Sequence, residues 1–191
     1  QFEQLTYNKS YHNEETVLQL LSKSFMAGDI PGEGVTYAAT FMQAGKESTV
    51  SPYHLASRVM QEQGAGTSAL ISGTYPGYQG YYNYFNFSAS GKTTEEIIKN
   101  GLAYAKQQEW NSRYKSIVGG SKLIGNNYIK VGQDTLYLQK FDMVGTLYTH
   151  QYMQNIMAPT TEGRSIRSAY NQSGALDKSF VFKVPVYRNM P

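Results

Sequence analysis

Glu62 is the residue of this chain whose position best suits proton-transfer chemistry. It lies in segment 51–64, which has clear helix signals, because Ser51 can cap its start, Pro52 fits its first position and Gly64 can end it. Apolar side chains recur at helical spacing along this segment: Leu55, Val59 and Met60. A carboxylate in the last turn of a half-buried helix suits a general acid, although its position alone is also typical of a solvated glutamate.

The segments that follow Glu62 favour a general acid over a solvated glutamate. Two loops of mostly small residues, 64–68 and 73–80, precede segment 81–87, which holds five aromatic residues and two asparagines. Two buried amides would each need hydrogen-bond partners, so this composition is poor material for a regular core. Aromatic faces pack well on pyranose rings, and asparagine offers both a donor and an acceptor. Segment 81–87 therefore predicts a sugar-binding surface.

Composition excludes several other classes of protein. The chain has 191 residues, enough for one domain with a sizeable core, and no cysteine, so a disulfide scaffold and a cysteine nucleophile are excluded. Its net charge of +3 favours an anionic surface such as a cell wall but is too small for a nucleic-acid footprint. No apolar run of about 18 residues is present, so no membrane span is expected. Because the sequence begins at Gln1 without methionine, we interpret it as a mature fragment or an excised domain.

The pattern of caps and periodicity predicts a mainly α protein of short helices joined by glycine-rich loops. Residues 1–12 are expected to form an irregular arm, and residues 179–187 a terminal strand or extended tail with Pro185 at an edge. We expect one domain over 1–191, with a core of about 13–176. Helices are predicted at 13–21, 36–43, 51–64, 93–107, 112–119, 121–131, 135–141, 149–157 and 162–172.

Metal, cofactor and nucleophile chemistry find little support in the sequence. The three histidines, His12, His54 and His150, lie far apart and lack metal-ligand spacing. No G-x-S-x-G turn occurs for a serine nucleophile, and no phosphate-binding loop occurs. We therefore expect neither a metal nor a cofactor.

Several short motifs occur in an order that resembles a known family. They are residues 56–64, 82–87, 132–137, 140–142 and 150–152. Together, over roughly residues 35–160, they resemble the glucosaminidase domain of bacterial autolysins, glycoside hydrolase family 73. The closing residues 182–191 are similar to the end of such domains in clostridial and related Gram-positive wall hydrolases.

This resemblance implies a lysozyme-like α-helical fold with a groove between two lobes, and hydrolysis of the β-1,4 bond between N-acetylglucosamine and N-acetylmuramic acid in peptidoglycan. Glu62 matches the catalytic general acid, and Tyr152 matches a tyrosine opposite it. Position 155, an acid in the family pattern, is asparagine here. The expected substrate-binding residues are Tyr82, Asn83, Tyr84 and Tyr137. The aromatic ones either line the glycan groove or pack beneath it, whereas Phe85 is assigned to the core. The expected protein is a secreted, wall-associated monomer whose partner is the glycan strand.

The resemblance leaves the second catalytic group open. Residues 63–94 contain no aspartate or glutamate, so a carboxylate such as Glu33, Asp134 or Asp142 reaches the groove, or the acetamido group of the substrate assists. We favour substrate assistance, with Tyr152 steadying the developing charge. A lytic transglycosylase and a wall-binding module without catalysis are the alternative functions.

Overall fold

The computed structural model describes residues 1–152 and 155–188, and these form a mainly helical fold, as predicted. A π-helical segment, Gly125–Ile129, follows the sixth helix, and a 3-10 turn, Ala175–Asp177, follows the eighth. The α-helices are α1 (Glu14–Leu21), α2 (Tyr37–Ser48), α3 (Pro52–Gln63), α4 (Ala69–Ser72), α5 (Thr94–Gln107), α6 (Arg113–Ile124), α7 (Leu136–Phe141) and α8 (Ala158–Ser173).

Helix starts follow the capping residues that the sequence indicates. The Asn13 side chain accepts a hydrogen bond from the Thr16 N–H at the start of α1. Thr93 and Glu96 form the expected capping box at the start of α5. These starts are confirmed because a cap acts only on backbone N–H groups two or three residues away.

Two of the predicted helix ends are wrong, and glycine is the reason in both. Helix α2 continues through Gly45 to Ser48, and a Cβ atom at Gly45 would lie 2.8 Å from the Val50 carbonyl oxygen. Helix α6 runs unbroken through Gly119 and Gly120, where a Cβ atom would lie 2.2 Å from the Trp110 ring and 2.4 Å from the Phe85 ring respectively. These glycines allow close packing and do not end a helix.

The predicted helix at 149–157 is also wrong. Residues 149–152 are not helical, residues 155–157 form a turn, and positions 153 and 154 lie outside the described residues. Pro159 lies in the first turn of α8, where a fixed φ and a missing N–H cost little. The short helix α4 was not predicted.

The main body of the fold surrounds α2. This helix packs against α1, α3 and α6, and α8 packs against α1, α3 and α7. Fully buried side chains from these elements fill the core: Val17, Phe41, Leu55, Val59 and Ile117. Phe85 belongs to the same core, as expected.

A smaller part of the fold consists of α4, loop 73–92 and α5, with α4 in contact with α5. Its centre is an aromatic cluster of Phe87, Tyr104 and Trp110, whose ring centroids lie 5.6–6.4 Å apart. The C-terminal end of α3 meets this part at residues 83–86. The end of α3 therefore lies where the two parts join.

Both terminal arms are tied to the main body. Glu3 and Phe182 form an antiparallel bridge, and Thr6 forms another with Val50. The extended C-terminal tail agrees with the prediction for residues 179–187, although it pairs only through that one bridge among the described residues. Within the described part of the chain, the helices are too short or too polar to cross a bilayer.

Candidate active site

Helix α3 places Glu62 at the surface. The Ser51 hydroxyl accepts a hydrogen bond from the His54 N–H at the start of the helix, and Gly64 ends it with a positive φ of 52°. Glu62 lies in the last turn, as predicted. Its side chain is exposed, however, so the buried face of α3 does not shield it from solvent.

An amide from the aromatic loop holds the Glu62 carboxylate. The Asn86 Nδ2 donates to Glu62 Oε2 at 2.9 Å and to the Glu62 carbonyl at 3.3 Å. Asn86 has a φ of 53°, a left-handed conformation that asparagine tolerates better than most residues. The Gln63 side chain donates to Asn86 Oδ1 at 2.7 Å and to the Tyr84 carbonyl at 2.9 Å. Together, Gln63 and Asn86 fix the end of α3 to the loop and orient the carboxylate.

Arg58 connects Tyr152 to the same helix. It lies four residues before Glu62, on the same side of α3. Its Nη2 donates a hydrogen bond to the Tyr152 hydroxyl, and its Cζ lies 5.1 Å from the centroid of the Tyr152 ring. Tyr128 packs edge-on to Tyr152 at 5.0 Å between ring centroids. The structure therefore brings Tyr152 within one helical turn of the Glu62 position.

Two of the expected sugar contacts lie inside the protein instead. Asn83 is fully buried, and its Nδ2 donates to the carbonyls of Phe87 and Gly101, both at 2.8 Å. Tyr84 is 1% exposed and its hydroxyl shares a hydrogen bond of 2.8 Å with that of Tyr37. The expectation that Asn83 and Tyr84 contact a glycan directly is therefore wrong for this structure, because both side chains are buried. Both side chains stabilise the loop that carries Asn86, because their polar groups are satisfied within the fold.

Tyr82 and Tyr137 are half-buried and lie in different surroundings. The Arg113 Nη1 donates to the Tyr82 hydroxyl at 3.2 Å, and the guanidinium stacks over the ring at 4.5 Å. The Tyr137 ring lies 5.3 Å from Phe2, and its hydroxyl is hydrogen-bonded to that of Tyr187. This hydrogen bond, with some burial, raises the pKa of Tyr137 to about 12. Tyr82 thus belongs to the loop region, whereas the described contacts of Tyr137 are with the terminal arms and α7.

The three carboxylates considered for a second catalytic role are engaged elsewhere. Glu33 accepts from the N–H groups of Arg113 and Tyr114 at 2.7 and 2.9 Å, which caps α6. Asp134 forms an ion pair with Lys183 at 2.8 Å. Asp142 accepts from the His150 N–H at 2.6 Å and from Gln133 at 2.9 Å. Each of these carboxylates therefore has a structural explanation.

Glu162, which was not among the carboxylates expected to take part, lies near the site. It is half-buried on α8, and burial raises its pKa. The positive charge of Arg58 opposes this effect, and the negative charge of Glu62 adds to it. Sequence reasoning missed Glu162 because its neighbours on α3 are about a hundred residues away in the chain. Arg58 was detectable, since it lies one turn before Glu62.

The fold is similar to that of lysozyme-like glucosaminidase domains. The crystal structure of a Major Bifunctional Autolysin superposes with a TM-score of 0.68 at 29% identity, covering 94% of this chain and 70% of that chain. Autolysin E of Staphylococcus aureus superposes with a TM-score of 0.68 at 25% identity, covering 98% of this chain and 77% of that one.

Sequence comparison finds homologous proteins. The bifunctional autolysin of Staphylococcus epidermidis is 32% identical over 181 residues, which is 89% of this chain. That of Staphylococcus aureus is 31% identical over 167 residues. No family model matches the chain. This chain is homologous to the glucosaminidase domain of the staphylococcal bifunctional autolysins, and it spans about 13% of the length of those relatives.

Proposed function

We propose that this protein hydrolyses the β-1,4 bond between N-acetylglucosamine and N-acetylmuramic acid in peptidoglycan, with Glu62 as the general acid. The observation that carries the proposal is the position of Glu62, an oriented carboxylate at the surface where the two parts of the fold meet. Its homology to the bifunctional autolysins supports a glycosidase.

Two related crystal structures support the substrate class. Autolysin E of Staphylococcus aureus was solved with a muropeptide, and a catalytic glutamate-to-alanine mutant of it with the disaccharide NAG-NAM. These structures share the fold at 24% identity, with TM-scores of 0.66 and 0.64. By extension to this chain, the proposed ligand is a glycan strand of alternating N-acetylglucosamine and N-acetylmuramic acid.

In the proposed reaction, Glu62 donates its proton to the leaving glycosidic oxygen as the bond to the anomeric carbon breaks. Asn86 holds the Glu62 carboxyl in one orientation, which reduces the entropy lost in reaching the reactive geometry. Tyr152, fixed by Arg58, faces the same region and steadies charge that develops on the sugar. We retain Tyr82 as a glycan contact, because its ring is only half-buried, and Tyr137 as a more distant one.

The place of action that we propose is the bacterial cell wall. The net charge of +3 suits a wall that contains acidic polymers. We propose a secreted protein that acts as a monomer.

Product analysis tests this function. Purified peptidoglycan is digested with the protein, and the muropeptides are reduced with borohydride and identified by mass spectrometry. A glucosaminidase leaves N-acetylglucosamine at the new reducing ends, and each cut adds one water. We expect these products and no anhydro-muramic ends.

Other products would point to other functions. Anhydro-muramic ends would identify a lytic transglycosylase and overturn the proposal of hydrolysis. Retention of the protein on peptidoglycan without any new ends would identify a wall-binding module.

A further inference from the structure

Glu162 differs from the other carboxylates near the site, because it is half-buried and has neither a hydrogen-bond nor an ion-pair partner among residues 1–152 and 155–188. Buried or half-buried carboxylates are normally paired or hydrogen-bonded, since removing a charge from water is costly. Glu33, Asp134 and Asp142 follow that rule. An unpaired, partly desolvated carboxyl group thus needs an explanation.

The position of Glu162 on α8 directs it toward the protein. Ile166 and Tyr170 follow at intervals of four residues and are 4% and 3% exposed, so these positions form the inward stripe of the helix. Glu162 begins this stripe. Helix α8 packs on α3, the helix that carries Glu62. The first turns of α8 therefore present a carboxylate to the catalytic helix.

The charged groups that act on Glu162 both come from that helix. They are Arg58 and Glu62, which lie one turn apart on α3. Arg58 is already engaged with Tyr152 through its Nη2 and its guanidinium face. Arg58 thus contacts Tyr152, and the charges of Arg58 and Glu62 both act on Glu162, so the four residues belong to one region of the fold.

We propose that Glu162 is the second carboxylate of the active site and takes the proton of the water that attacks the anomeric carbon. This inference rests on the proposed function. In the step, the water oxygen bonds to the anomeric carbon while the bond to the leaving oxygen breaks. Glu62 gives its proton to the leaving oxygen, and Glu162 accepts one from the water. The product is then the inverted anomer, and the two carboxyl groups return to their starting states by exchange with solvent.

The electrostatic setting of Glu162 suits a base. Burial raises its pKa, and so does the nearby negative charge of Glu62, whereas Arg58 lowers it. A carboxylate with a raised pKa binds a proton more strongly and is a better general base than a fully solvated one.

The test compares Glu162→Gln with wild type on a soluble peptidoglycan oligosaccharide of defined length. We expect kcat to fall about 10²-fold or more, with KM within about threefold, because the amide cannot accept the proton. The thermal midpoint should not fall, since a neutral amide of the same shape replaces an unpaired charge. The acidic limb of the kcat/KM profile should disappear. Glu95→Gln, at an exposed glutamate of α5, is the matched control and should keep wild-type rates.

A second measurement needs no variant. Proton NMR of the wild-type reaction at early times identifies the anomer that forms first, and we expect inversion. A retained anomer, or a Glu162→Gln kcat within about threefold of wild type, would overturn the inference and favour assistance by the substrate acetamido group. If wild type makes no new reducing ends, the proposed function itself fails, whereas activity with retention refutes only the role of Glu162.

Discussion

Two glutamates lie near opposite ends of the buried face of α8, and their surroundings differ. Glu162, in the first turns, lies beside Arg58 and Glu62. Glu3 reaches Tyr170 near the other end, where the hydroxyl donates to its carboxylate at 3.0 Å. Burial raises the pKa of Glu3 to about 7, with the Tyr170 hydrogen bond opposing the effect. Burial thus raises the pKa of both glutamates.

What separates them is the surrounding chemistry. Glu3 keeps some accessible surface, but it faces a cavity of about 430 Å³ lined mostly by apolar side chains of the two terminal arms and α8. Glu162, by contrast, is acted on by the charge of a second carboxylate, Glu62, which Asn86 holds in one orientation. A raised pKa is therefore not sufficient to assign catalysis, and the polar neighbours decide between the two.

The largest effect on kcat in the region around Glu162 is expected from substitutions at Tyr152 and Arg58. Tyr152→Phe removes the hydroxyl, and Arg58→Gln removes the cation that positions it, so kcat should fall about 10²-fold in either variant. Because both act through one contact, the double variant should lose little more than either single one. Steady-state kinetics check this, with Tyr148→Phe as control at a neighbouring exposed tyrosine. A double variant whose loss of kcat equals the product of the two single losses would contradict a shared role.

Glu3→Gln should change stability without changing activity. The folded protein holds the Glu3 proton up to about pH 7, whereas the unfolded chain releases it near 4.5, so the stability associated with this group is present below about pH 4.5 and lost as pH rises through about 7. Above pH 7 the variant should be more stable than wild type by on the order of 2 kcal/mol, allowing for solvent in the cavity. Urea unfolding from pH 4 to 8 measures the difference in the free energy of unfolding between Glu3→Gln and wild type. A difference that does not grow with pH would be inconsistent with a buried charge at Glu3.

His12 and His54 contribute a pH dependence of the opposite sign. Burial lowers the pKa of His12 to about 4 and that of His54 to about 3. Because the unfolded chain binds these protons near pH 6.5, the stability from neutral, buried histidine is lost as pH falls toward 4. Comparing Glu3→Gln with wild type at each pH cancels this contribution.

The smallest expected effect is at Asn86. Asn86→Gly removes the amide that holds Glu62 but tolerates the φ of 53°. We expect kcat to fall about fivefold, since only the orientation of the acid is lost and the acid itself remains. Kinetics with unchanged KM would support this, and the thermal midpoint should fall slightly because Gln63 loses its hydrogen bond to Asn86. No change in kcat would show that the hydrogen bond to Glu62 is incidental.

Local signals explain what the sequence could predict. Asn13, Ser51 and Thr93 each cap a helix through N–H groups a few residues away, so the sequence around them contained the necessary information. Glu62 was identified in the same way, from its place in a well-delimited helix. The C-terminal extended tail was also predictable from β-branched and aromatic alternation.

Long-range packing explains what the sequence could not predict. Gly45 and Gly120 resemble helix ends until the neighbours that they accommodate, Val50 and Phe85, are known. Asn83 resembles a sugar contact until Gly101 is seen to satisfy its amide. Glu162 resembles a solvated charge until α8 is placed against α3. In each case the deciding partner lies on another element.

The most direct test of Glu62 as the general acid is the rate at which the Glu62→Gln variant cleaves purified peptidoglycan. This rate is measured from the release of new reducing ends. We expect a loss of about 10²-fold or more, because the amide cannot donate the proton that the leaving oxygen needs. Glu95→Gln, measured in parallel, should match wild type. A Glu62→Gln rate within about threefold of wild type would contradict the assignment of Glu62 as the general acid.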